Sequence, residues 1–437
     1  MAYTYDPASQ VTNILHQLTA TNSQINKADY LYNGVGNRTS LTDRRGAQSF
    51  GYYNLDRLTS ASHPLLATPQ AFAYDPVGNR TTGGSIVNAG NQLTADATHS
   101  YQYDDNGNLT RKTLLASGNY TQYTYDPENR LVKVEEFVVG NPTAFATSTY
   151  RYDGLGRRIE KVGNGITRRY VYDGEDILLE YDGANGLQAR YTHGPGIDEP
   201  IAVTKGNSTF FYHQDGLGSV TDLTDSAGAT AKSYSYDAYG TIVDQTGTVE
   251  QPYTYTGREF DSESGLYYYR ERYYDSNLGR FLQNDPGEAG IYNKGLPRNP
   301  FDRSSPYAYG ADSPVSLIDP FGDTPQLPNG VGKELCVYYD KVGAESKCKY
   351  HPYAKKFCIN PRLNTCFSLF ASEAIINKIR KELIEEDIKA TEEGDVCTKT
   401  GCPRRDRIVQ YHKDVYARNG IPPACFPSWW PIVSDGN

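Results

Sequence analysis

Two pieces of sequence decide how this chain is read: Gly257-Arg-Glu-Phe-Asp-Ser-Glu-Ser-Gly-Leu-Tyr-Tyr-Tyr-Arg-Glu-Arg-Tyr-Tyr-Asp-Ser-Asn-Leu-Gly-Arg-Phe-Leu-Gln-Asn-Asp-Pro286 and Pro314-Val-Ser-Leu-Ile-Asp-Pro-Phe-Gly322. Each ends on or contains an Asp-Pro pair, at Asp285 and Asp319, and Arg272 lies 13 residues before the first of these. The chain before Gly257 is repetitive. The chain after Gly322 has a different composition.

Upstream, a unit recurs from residue 3: Tyr-x-Tyr-Asp, then Gly-Asn-Arg or Gly-Arg, then a short alternating run. Copies include Tyr30-Leu-Tyr32-Asn33, Phe72-Ala-Tyr74-Asp75, Tyr101-Gln-Tyr103-Asp104, Tyr123-Thr-Tyr125-Asp126, Tyr150-Arg-Tyr152-Asp153, Tyr170-Val-Tyr172-Asp173 and Tyr234-Ser-Tyr236-Asp237. Adjacent copies place their second tyrosines 19 to 29 residues apart, the mark of one supersecondary unit with variable loops. Side chains alternate along a strand, so Tyr-x-Tyr puts two rings on one face. Asp-Pro, Asp-Gly and Gly-Asn supply turn residues, and the next run returns as the partner strand. A lone hairpin is marginal, so stability must come from stacking. About eleven such units predict a partial turn of shell rather than a closed chamber.

Composition agrees. There are 38 tyrosines, 14 phenylalanines and 2 tryptophans among 437 residues, with 41 glycines. Mean hydropathy is -0.64. A phenol can bury its ring and keep its hydroxyl bonded, so this composition suits half-buried strands and argues against disorder. Net charge is -9, unevenly divided: from residue 323 onward there are 17 Lys+Arg against 15 Asp+Glu, leaving 26 against 37 before it. The acidic repeats are not expected to bind nucleic acid. No apolar run is long enough to span a membrane, and no signal peptide is visible after Met1.

The 257–322 stretch, with the variant copy Tyr212-His-Gln-Asp-Gly-Leu-Gly-Ser-Val-Thr-Asp222, resembles the core-associated segment of Rhs/YD-repeat proteins. In that family a tyrosine-rich β-shell ends there and a variable C-terminal domain, often a toxin, begins. The resemblance implies a mainly β fold: a YD-repeat shell or spiral segment over 1–256, a core segment over 257–322, and a small cysteine-rich α or α+β domain over 323–437. It also implies an aspartyl-protease-like site of Arg272, Asp285 and Asp319 that cuts the chain near Gly322, Asp323 and Thr324. Two carboxylates in one site cannot both ionise cheaply, so one can serve as acid and the other as base. An arginine beside them can orient a carboxylate or polarise a carbonyl. Asp323 stands where the family usually has an apolar residue, and a third carboxylate there disfavours the ionised base.

All seven cysteines, from Cys336 to Cys425, lie in the tail. Disulfides, free thiols and a zinc site of Cys397, Cys402, His412 and Cys425 stay open as readings. A helix is expected from Ser372 to about Ala390 and a second from about Arg405 to Arg418. His412 and Asp414, with His351 elsewhere in the tail, are the residues that could do acid–base work there, although a solvated helix face explains the first pair better. No cofactor is expected. Two functions remain. The first is the shell and carrier of a secreted polymorphic toxin, with an immunity protein and a delivery apparatus as partners. The second is a structural or adhesive cell-surface protein, or a truncated relic, meeting a glycan or surface through an inactive, disulfide-stabilised tail.

Overall fold

The computed structural model describes residues 1–286, 305–323, 325 and 328. The two expected helices, Thr324 and every cysteine lie outside the described residues, as do His351, His412 and Asp414.

The repeats form antiparallel sheets in which each strand pairs with its neighbours in sequence. Seven strands run from Ala2–Tyr5 to Gln70–Ala71, and sixteen from Ile86–Val87 to Ile242–Gly247. The unit is built as its sequence suggests. The aspartate after the second tyrosine folds the turn by accepting two backbone N–H groups: Asp104 takes those of Asn106 at 3.0 Å and Asn108 at 2.8 Å. Asp126 and Asp153 repeat this at the same offsets. The turn then needs a left-handed residue, supplied by Gly107 (φ 82°) and Gly156 (φ 83°), or by Asn129 (φ 61°).

Both tyrosines of the unit share a face; Tyr234 and Tyr236 stack at 6.2 Å. They do different jobs. The first is core, as with Tyr150 and Tyr30. The second sits at a register shift, where the strand bulges at Gln102/Tyr103 and Arg151/Tyr152. Its hydroxyl donates to a carbonyl of an earlier hairpin: Tyr125 to Leu109 at 2.9 Å, Tyr172 to Arg158 at 2.8 Å, Tyr236 to Val220 at 2.6 Å. Two further copies depart from the pattern in sequence but keep this bond. Tyr52 of Phe50-Gly-Tyr52 donates to Arg38 O at 2.7 Å, and Nε2–H of His193 in Tyr191-Thr-His193 donates to Ile177 O at 2.9 Å.

The beginning and end of the ribbon meet. Asn26 donates to Asp222 Oδ2 at 2.8 Å, Gln70 to Asp237 at 2.9 Å, and the hydroxyls of Tyr74 and Tyr239 lie 2.8 Å apart. His16 and His213 face each other, Nδ1 to Nδ1 at 3.1 Å, and burial holds both near a pKa of about 4, hence neutral. The ribbon is therefore more than the open arc expected, and the reason is width. Its 23 strands at about 4.8 Å spacing give about 110 Å, which curls to a circle about 35 Å across.

The inner layer is built from the 257–286 stretch. Its four strands, Glu259–Asp261, Leu266–Tyr269, Arg272–Asp275 and Arg280–Phe281, form a separate small sheet. Because ribbon packs on both faces, Leu266–Tyr269 and Arg272–Asp275 are buried at every position. Tyrosine suits such a site because the surrounding turns present carbonyls that need donors. Tyr267 donates to Gly240 O at 2.7 Å, Tyr274 to Tyr239 O at 2.7 Å and Tyr307 to Gly107 O at 2.8 Å.

Candidate active site

Arg272 opens the third inner strand, with 2% of its side chain exposed. Its guanidinium lies 3.7 Å over the Phe281 ring, which fixes its plane. Every nitrogen then has a partner. Nη1 donates to Pro306 O at 2.8 Å and Nε to the carbonyl of Gly322. Nη2 faces two carboxylates, Asp319 Oδ2 at 3.4 Å and Asp285 Oδ2 at 3.6 Å. The fold thus brings Arg272, Asp285 and the Asp319–Gly322 turn together from three places in the chain.

The 319–323 segment is a tight turn. Gly322 N–H donates to Asp319 O at 3.2 Å, and Asp323 N–H to Asp319 Oδ1 at 3.0 Å. Gly322 has φ 72°, and a Cβ there would stand 2.6 Å from Tyr269 O. Only glycine lets its carbonyl approach Arg272 this closely. Asp319 consequently has one oxygen on the arginine and the other on the nitrogen of the Gly322–Asp323 peptide bond, while Arg272 holds that bond's oxygen.

Asp319 is fully buried, and burial raises its pKa to about 7. Arg272 pulls it down, whereas Asp323 and Asp285 push it up. The third carboxylate, at 323, thus adds to the effect of burial on Asp319. Glu271 is also raised, by burial first and then by Asp323. A raised carboxyl is not by itself a site. Asp312 reaches about 7 as well, also through burial, but its nearest cation is Arg57 at 3.4 Å, and it serves to join Asp312 to the ribbon. What sets Asp319 apart is its place beside a peptide bond whose oxygen is held by a cation. Such an arrangement can protonate a departing amine while an oxyanion is stabilised.

Sequence reasoning missed two participants. Arg270, two residues before Arg272, donates to Pro320 O and lies 5.2 Å over the Phe321 ring. Asp198, from the ribbon, binds both Arg270 and Arg258. Arg270 could have been noticed from its place in Tyr-Arg-Glu-Arg; Asp198 carries no local signal. The other candidates, Thr324, His351, His412, Asp414, Cys397, Cys402 and Cys425, lie outside the described residues.

Comparison with known proteins places the chain in a family. The teneurin YD-shell family matches residues 66–294, a stretch that includes Arg272 and Asp285. The chain belongs to the Rhs/YD-shell family. It is 36% identical over 287 residues to the tRNA3(Ser)-specific nuclease WapA of Bacillus spizizenii, a match covering 62% of this chain and 12% of that protein. It is 29% identical over 379 residues to double-stranded DNA deaminase toxin A of Burkholderia cenocepacia, covering 73% of this chain and 25% of the toxin. The chain thus spans a quarter or less of the length of these YD-shell relatives. Among solved structures, TcdB2-TccC3-TEV has the same shell fold, with a TM-score of 0.51 at 20% identity over 73% of this chain and 18% of that one.

Proposed function

We propose that this chain is the shell segment of an Rhs-type toxin that hydrolyses its own Gly322–Asp323 bond and so frees the polypeptide beyond it. The observation that carries the proposal is the double hold on that bond: Arg272 on its carbonyl oxygen and Asp319 on its nitrogen. In this reading Asp285 takes a proton from a water as the water oxygen attacks the Gly322 carbonyl carbon. Arg272 stabilises the oxyanion. Asp319, protonated up to about pH 7, gives its proton to the Asp323 nitrogen as the C–N bond breaks. The products are a carboxylate on Gly322 and an amine on Asp323, and one water is consumed.

The name of one relative, double-stranded DNA deaminase toxin A, supports the toxin reading, which implies a delivery apparatus and an immunity protein as partners. Intact mass of the purified chain tests the cleavage. Two fragments meeting between Gly322 and Asp323 are expected, and Asp319→Asn and Asp285→Asn should each slow their appearance by roughly 10²- to 10⁴-fold. A wild-type chain that stays whole on prolonged incubation near pH 6 rules the reading out.

A further inference from the structure

The tip of the inner hairpin does more than supply Arg272. Tyr269 pairs with Arg272, so Arg270-Glu271 is a two-residue connection. Its three residues 270, 271 and 272 donate in order to three consecutive carbonyls of the other segment. Arg270 Nη1 binds Pro320 O, Glu271 N–H binds Phe321 O at 3.1 Å, and Arg272 Nε binds Gly322 O. We propose that this ladder fixes which peptide bond lies at the carboxylates, and that Arg270, held by Asp198, is the positioning residue that sets the register. The proposal rests on the self-cleavage reading above.

Three features single out Arg270. First, it adopts φ 61° in the first position of a two-residue hairpin loop, where glycine is the residue that fits without strain. Strain tolerated there needs a compensating use of the side chain. Second, its guanidinium is gripped on the far side. Asp198 takes Nη2 at 2.8 Å and Nη1 at 3.2 Å, a two-point hold that fixes direction as well as position, and Glu175 lies 3.4 Å from Nε. Third, the same group covers the Phe321 ring, so it holds the segment by a side chain as well as by backbone. Asp198 is itself buried and anchored by Arg258. Without Arg270, the segment keeps only Glu271 N–H and Arg272 as donors, and its register rests on the close fit of Gly322 alone.

Arg270→Gly is the informative variant, because glycine suits the turn and the hairpin is expected to fold. Cleavage at Gly322–Asp323 should slow by roughly 10- to 100-fold, the scale of a small misplacement of reacting groups. The released pieces should include new masses offset by one or two residues, with the pH midpoint of cleavage unchanged because Asp319 is untouched. Arg270→Lys, which keeps a charge for Asp198 but not the two-point hold, should fall between the two. A shell that is merely weakened would cut slowly at the original bond alone; that result overturns the proposal. Hydrogen exchange in the Asp319→Asn background separates the two ideas. Arg270→Gly should speed exchange at the amides of residues 321–323, and unchanged protection there overturns the clamp whether or not the wild type cuts. If the wild type does not cut but exchange speeds up, the cleavage reading and the register role both fall, and only a structural anchor remains.

Discussion

Arg157 and Arg158 are neighbours in sequence and belong to different regions of the molecule. Arg157 lies in a ribbon turn and pairs with Asp153 at 2.7 Å, four residues back, with about a quarter of each side chain exposed. Arg158 points inward with no exposure and binds the inner sheet, Glu259 at 2.7 Å and Asp261. It also lies 4.4 Å over Tyr268. The polar contacts of the ribbon's repeated turns are local and half-exposed. The inner segment's contacts are single, dry and reach across a hundred residues. A ribbon built this way can lose one turn contact and remain a ribbon, whereas the inner segment can be held in one position only, as the proposed cleavage site would require.

That contrast is tested most directly by Arg158→Met against Arg157→Met, both in the Asp319→Asn background so that the chain stays whole. Removing one partner of a buried pair strands the other, so Arg158→Met should cost about 3–5 kcal/mol by denaturant unfolding. Lys161, at 2.8 Å from Asp261, will soften the loss. Arg157→Met should cost no more than about 1 kcal/mol. Equal losses would erase the distinction between the two regions.

A second test sharpens the inner region alone. In the proposed cleavage Asp319 must be protonated, and burial raises its pKa to about 7. The rate should therefore fall about tenfold per pH unit above that value. Asp323 raises Asp319, so Asp323→Asn should move this limb to lower pH and slow cleavage several-fold on the alkaline side. A limb that moves to higher pH, or stays in place, would show that Asp319 is not the titrating acid.

Much of the ribbon was legible because its physics is local. Tyr-x-Tyr-Asp specifies a bulged strand end and a turn within ten residues, so each copy announces itself. The copies that escaped notice, at Phe50-Gly-Tyr52 and Tyr191-Thr-His193, keep the hydrogen bond and change the residue that makes it. The closing of the ribbon was not legible. It depends on pairs such as Asn26 and Asp222, nearly 200 residues apart, that have no pattern of their own. Arg272, Asp285 and Asp319 were found through resemblance, and nothing in their spacing shows that they converge. Arg270 acts on a backbone carbonyl and Asp198 acts on Arg270, and a carbonyl has no letter in the sequence.

The smallest expected effect bears on whether the ribbon's contacts are interchangeable. Tyr125 and Tyr172 make the same bond in different copies, to Leu109 O at 2.9 Å and to Arg158 O at 2.8 Å. A phenol-to-carbonyl bond of this kind is worth about 1 kcal/mol net. Tyr125→Phe and Tyr172→Phe should therefore each lower stability by about that amount, and the double variant by about the sum, since the sites share no partner. The acceptor of Tyr172 belongs to Arg158, however, the residue that fastens the inner sheet. If Tyr172→Phe costs clearly more than Tyr125→Phe, and the excess vanishes in Arg158→Met, then the ribbon bond at that copy supports the inner region too. Equal costs in both backgrounds would mean that the two regions are stabilised independently even where they share a residue.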